Sequence, residues 1–67
     1  MNFSTHLLRL RVERAQALLA AAPRPVSEVA FAVGFNDLSY FARIFRRFVG
    51  VSASAWQTLH AAPQTNG

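Results

Sequence analysis

The feature that most constrains this chain is a stripe of four apolar residues, Phe41, Ile44, Phe45 and Phe48, just after the run Gly34-Phe35-Asn36. The stripe occupies positions i, i+3, i+4 and i+7, which lie on one side of an α-helix. Ser39, Arg43 and Arg46 fall on the opposite side, with Ala42 and Arg47 flanking them. The spacing predicts a helix over 37–48. Asn36 is its expected N-cap, Asp37 suits the positive end of its dipole, and Gly50 ends it. No segment alternates apolar and polar residues as a strand would, so the expected fold class is all-α.

The segment before this helix follows the same period. Leu8, Val12, Ala15, Leu18, Leu19 and Ala22 recur at spacings of three and four, predicting a helix over 4–22 with Ser4 or Thr5 as its cap. At 1.5 Å per residue it would be about 27 Å long. Pro23 and Pro25 end it, because proline lacks a donor and disfavours helix in the residue before it. A short helix is expected over 26–33. Val29, Ala30 and Val33 form its inner face, Gly34 is its left-handed C-terminal residue, and Phe35 is an apolar contact beyond the turn. Ser52 is expected to cap a last helix over 53–59 with Trp56 turned inward. The tail 61–67 has no periodicity and is expected to be disordered. The organisation read here is one domain over 1–60 followed by that tail.

Size and composition exclude several classes. A chain of 67 residues allows one small domain. It has no cysteine, so no disulfide and no thiolate metal site are expected. No apolar run approaches the roughly 20 residues that span a bilayer, and no signal peptide is read. The expected compartment is cytoplasmic. His6 and His60 stand near opposite ends, without a carboxylate pair or metal-ligand spacing around them. No glycine-rich phosphate loop is present. We therefore expect no enzyme, no cofactor and no catalytic or metal-binding residue.

Charge points the other way. Seven arginines against Glu13, Glu28 and Asp37 give a net charge of +4. Such a balance fits a polyanionic partner, nucleic acid above all, although ordinary solubilising charge gives the same count. Two short helices joined through Gly34-Phe35-Asn36, with arginines on the outer face of the second, fit a helix-turn-helix unit. In that unit the second helix lies in the major groove of DNA while the first crosses the backbone.

The stretch from Val29 to Ser52, with Ala30, Gly34, Phe35, Asp37, Ser39, Tyr40, Phe41, Arg43, Phe45 and Gly50 in order, resembles the signature of the AraC/XylS family of bacterial transcription regulators. Leu10 to Ala15 followed by Leu18-Leu19 resembles the helix that precedes that signature. The resemblance covers about residues 3 to 58. It implies a homeodomain-like helix-turn-helix in which residues 4–22 are a linking helix and residues 26–48 are the second of two units. It also implies sequence-specific binding to double-stranded DNA. The first unit and any effector domain would lie outside this chain. Ala53 stands where the family usually has proline.

Within this reading, Leu38, Ser39, Ala42 and Arg43 are the candidates for base contact. Arg43 could bridge guanine O6 and N7, or could take a phosphate. Leu38 could touch a thymine methyl, Ser39 could equally bond near the cap, and Ala42 could simply admit close approach. Ser27, Asn36, Arg46 and Arg47 are the phosphate candidates. Arg11 falls near the apolar face, so an ion pair with Glu28 or Asp37 is expected for it rather than a DNA contact. Phe31 lies off the apolar face. Partial burial under the first helix is expected, the alternative being contact with a missing unit or a polymerase subunit. Tyr40, Phe41, Phe45, Phe48 and Trp56 are expected in the core.

Two competing readings share these residues. One is a truncated, non-enzymatic helical module that joins a parent regulator or RNA polymerase and binds DNA weakly or not at all. The other is a basic amphipathic segment over 4–22 acting at a membrane surface, which its alanine-rich, Trp-free apolar face disfavours.

Overall fold

The computed structural model describes residues 3–61. The expected disorder of 62–67 therefore lies outside the described residues. Four helices follow in order: α1 (Phe3–Ala21), α2 (Val26–Ala32), α3 (Leu38–Val49) and α4 (Ala53–His60). No strand occurs among the described residues.

The core is a single cluster to which every helix contributes. Val12, Ala15 and Leu19 come from α1, Val29 and Ala30 from α2, Phe41, Ile44 and Phe45 from α3, and Ala53 from α4. Val33 and Phe35 fill the α2–α3 turn. Leu8, Leu18, Phe48 and Trp56 pack around this cluster, partly buried. All the buried residues of α1 lie in its C-terminal half, and Phe3, Ser4 and His6 are exposed. The long helix thus projects beyond the core, which matches the elongated 47 × 20 × 15 Å envelope.

Aromatic rings tie the unit together from the turn to α4. Phe35 meets Phe41 edge-on at 5.1 Å between centroids, Phe41 lies 5.7 Å from Phe45, and Phe45 lies 6.2 Å from Trp56. Such edge-to-face and tilted arrangements match the charge distribution of the rings and are each worth about 1 kcal/mol beyond their buried area. Trp56 in turn stacks on His60 at 4.2 Å. Its inward placement follows from the sequence spacing.

The α2–α3 turn shows why glycine is needed. Gly34 has φ +102°, a backbone that residues with a Cβ rarely adopt. This lets the Gly34 N–H donate to Phe31 O at 3.2 Å and the Phe35 N–H donate to Ala30 O at 3.0 Å. These two bonds form a Schellman motif, which satisfies carbonyls that the helix end leaves open. Phe35 is folded back into the core as the apolar partner of that motif.

Several expected boundaries shift. Asp37, not Asn36, caps α3: its Oδ1 accepts from the N–H groups of Ser39 at 2.8 Å and Tyr40 at 3.2 Å. The helix consequently starts at Leu38 and runs to Val49, and Asn36 stays in the turn. Ser4 and Thr5 lie inside α1, whose described span begins at Phe3, and α1 stops at Ala21 rather than at Ala22. Ser52 caps α4 as expected, accepting from the Ala55 N–H at 3.2 Å. Ala53 is buried as the first residue of that helix.

Candidate nucleic-acid interface

The outer face of α3 is built by exclusion. Phe41, Ile44 and Phe45 anchor one side of the helix in the core. Helical geometry then forces the residues between them outward. Leu38, Ser39, Ala42, Arg43, Arg46 and Arg47 are all exposed, Leu38 by 41%. The structure thus brings all four base-contact candidates and two of the phosphate candidates onto one solvent-facing surface. Asp37 fixes where that surface begins, because its carboxylate is occupied with the first-turn N–H groups. Gly50, at φ +99°, closes the other end, its N–H donating to Arg46 O at 2.8 Å.

The other two phosphate candidates lie beside this face. Asn36 is exposed in the turn and lines a shallow cleft of about 390 Å³ together with Ser39, Tyr40 and Arg43. Ser27 is half-buried in the first turn of α2.

The guanidinium groups of Arg43, Arg46 and Arg47 make no hydrogen bond, ion pair or ring contact among the described residues. A guanidinium keeps its charge at every physiological pH and presents a planar fork of donors. Three of them on one helix face, with two small side chains between, form a surface that can accept phosphate oxygens and base edges.

Three expectations for individual residues do not hold. Arg11 forms no ion pair with Glu28 or Asp37. Its guanidinium lies over the Phe35 ring at 6.0 Å and against the open side of Gly34, where a Cβ would come within 3.3 Å of its Nε. Asp37 instead turns its Oδ1 to two backbone donors of α3, and the Phe35 ring is the group that the Arg11 guanidinium meets. Phe31 is 54% exposed rather than covered by α1, because α2 turns Val29 and Ala30 inward and leaves residue 31 on its outer side. Tyr40 is 42% exposed, its ring tilted against Phe35 at 5.9 Å. It sits one position before Phe41 and so points away from the stripe.

Arg24 was not among the candidates. It sits between two prolines outside any periodic segment, and its contact with Gln57, 33 residues away, leaves no local sequence signal.

A family profile described as a helix-turn-helix domain matches residues 1–58. The chain is similar to the HTH-type transcriptional activator RhaR of Salmonella heidelberg (strain SL476) and of Salmonella typhi, at 37% identity over 59 residues. It is 36% identical to the protein of the same name from Salmonella arizonae, again over 59 residues. These alignments take in 88% of this chain and 21% of each relative. The chain therefore spans about a fifth of the length of the curated relatives it matches. No solved structure matches. No described helix is long and apolar enough to cross a membrane.

Proposed function

Because the chain belongs to the AraC-type helix-turn-helix family, we propose that it binds double-stranded DNA as one helix-turn-helix unit of a bacterial transcription regulator. The observation that carries this reading is the division of α3 into a buried aromatic side and an exposed side bearing Arg43, Arg46 and Arg47. In this reading α3 lies in the major groove and α2 crosses the backbone. Arg43 reads a guanine edge from the middle of the helix. Leu38, Ser39 and Ala42 meet bases from its first turns. Arg46 and Arg47, one turn further on, take phosphates together with Asn36 and Ser27.

The remaining parts follow from the same placement. Residues 1–60 act as one domain, with α1 as the linking helix and its projecting N-terminal half reaching toward a preceding unit. The exposed ring of Phe31 is the contact offered to a protein partner, RNA polymerase or the rest of a parent regulator. The protein works in the cytoplasm, without cofactor and without enzymatic activity.

The test is fluorescence anisotropy of this chain on a random-sequence duplex, titrated with salt. The expected result is tight binding at low salt that weakens with a log–log slope of about −0.9 per neutralised phosphate. A folded chain that leaves the duplex unbound at low salt overturns the proposal.

A further inference from the structure

The chain has a single tyrosine, Tyr40, and the fold leaves it exposed on α3. Its ring is tilted against that of Phe35, which is itself buried in the core. The phenol is therefore braced by the core and open to solvent at once. A tyrosine side chain has only two χ angles, so a ring already leaning on the core gives up little freedom when its hydroxyl is used. That hydroxyl can donate one hydrogen bond and accept others. It makes none among the described residues.

The place of Tyr40 on α3 indicates what the hydroxyl can meet. Ser39, Arg43 and Arg46, at i, i+4 and i+7, form the line opposite the buried Phe41, Ile44 and Phe45. Tyr40 and Arg47 are seven residues apart, nearly two turns, and stand in one column beside that line. Leu38 and Ala42 stand on its other side. Tyr40 also shares a cleft with Asn36, Ser39 and Arg43. A helix with its side chains is about 10–12 Å across, and the major groove is about 12 Å wide. A helix laid in that groove turns its middle line to the base edges and its flanks to the strands on either side. The flank of Tyr40 carries Arg47 and adjoins Asn36, both phosphate candidates. Tyrosine hydroxyls are among the side-chain donors that phosphate oxygens accept.

We propose that Tyr40 is a phosphate-binding residue of α3, its hydroxyl donating to the DNA strand that Arg47 and Asn36 face. The inference rests on the DNA-binding reading above and adds to it a neutral contact that the arginine pattern does not disclose. The hydroxyl carries no charge, so it holds the backbone without neutralising a phosphate.

The experiment compares the unaltered chain with Tyr40→Phe by salt titrations of anisotropy on two duplexes of unrelated sequence. The substitution keeps the ring against Phe35 and removes only the hydroxyl, so the melting temperature is expected to be unchanged. Affinity is expected to fall about 3- to 10-fold on both duplexes, the worth of one exposed hydrogen bond. The log–log salt slope is expected to stay the same, because the slope counts phosphates neutralised by cations. Unchanged affinity of Tyr40→Phe overturns the inference while leaving the DNA-binding reading intact. A loss confined to one duplex assigns the hydroxyl to a base and overturns it as well. Absence of salt-dependent binding by the unaltered chain overturns both. Because Tyr40 is the only tyrosine, fluorotyrosine labels it alone. Its fluorine resonance is expected to shift on addition of either duplex, and an unmoved resonance overturns the inference.

Discussion

In α1, Arg9 and Arg11 lie over rings of the helix-turn-helix unit, Phe48 at 5.4 Å and Phe35 at 6.0 Å. In α3, Arg43, Arg46 and Arg47 are exposed and touch no ring or carboxylate among the described residues. The two groups are alike in composition and unlike in surroundings. The α1 pair helps hold the long helix against the turn and the end of α3. The α3 trio adds nothing visible to the fold and leaves its donors to solvent. A net charge of +4 therefore says little by itself. What matters is which guanidinium groups the fold has already occupied.

That contrast can be broken at its base by Gly34→Val. A β-branched residue at φ +102° is strained, and its Cβ would press on Arg11 Nε at 3.3 Å. The expected cost is about 3 kcal/mol or more, against a total stability of roughly 3–10 kcal/mol for a domain of this size. Circular dichroism should show the cooperative thermal transition lost or strongly lowered. An unchanged melting temperature would remove the left-handed turn from the account.

The α3 side is probed next by Arg46→Ala combined with Arg47→Ala. Binding should weaken on all duplexes alike, and the salt slope should fall by about 0.9 for each residue, with the melting temperature unchanged. Arg43→Ala should act differently, costing about 1–3 kcal/mol on one preferred sequence and relaxing the choice at a single base pair in a site-selection experiment. If the two changes behave identically on every sequence, the division between phosphate and base contacts is wrong.

The smallest effect is expected on the α1 side. Arg9→Gln should lower stability by about 0.5–1 kcal/mol, the worth of an exposed cation–ring contact, and leave the salt slope alone. A reduced slope with unaltered stability would move Arg9 into the DNA-contacting group and erase the contrast.

The sequence carried the features with local causes. The stripe Phe41, Ile44, Phe45, Phe48 is helical spacing made visible, and Gly34 lies where only a residue without Cβ is comfortable. The outward placement of Leu38, Ser39, Ala42, Arg43, Arg46 and Arg47 follows from the same spacing. What escaped the sequence depended on competition between neighbours. Asn36 and Asp37 are both good caps, and only the folded chain shows that Asp37 is the one that accepts from the first-turn N–H groups. Arg11 had two carboxylates and an aromatic ring as possible partners, and only the folded arrangement selects the ring. Phe31 and Tyr40 are apolar enough for a core, yet each flanks a residue that occupies the inward position. The Arg24–Gln57 hydrogen bond joins segments with no shared pattern.

The central claim is that DNA meets the outer face of α3 and not the arginines of α1. It is tested most directly by two-dimensional nuclear magnetic resonance of the chain titrated with a duplex. The account predicts the largest shifts at Leu38, Ser39, Ala42, Arg43, Arg46 and Arg47, with Arg9 and Arg14 nearly unmoved. Shifts concentrated on α1 or around Phe31, with α3 silent, would contradict it.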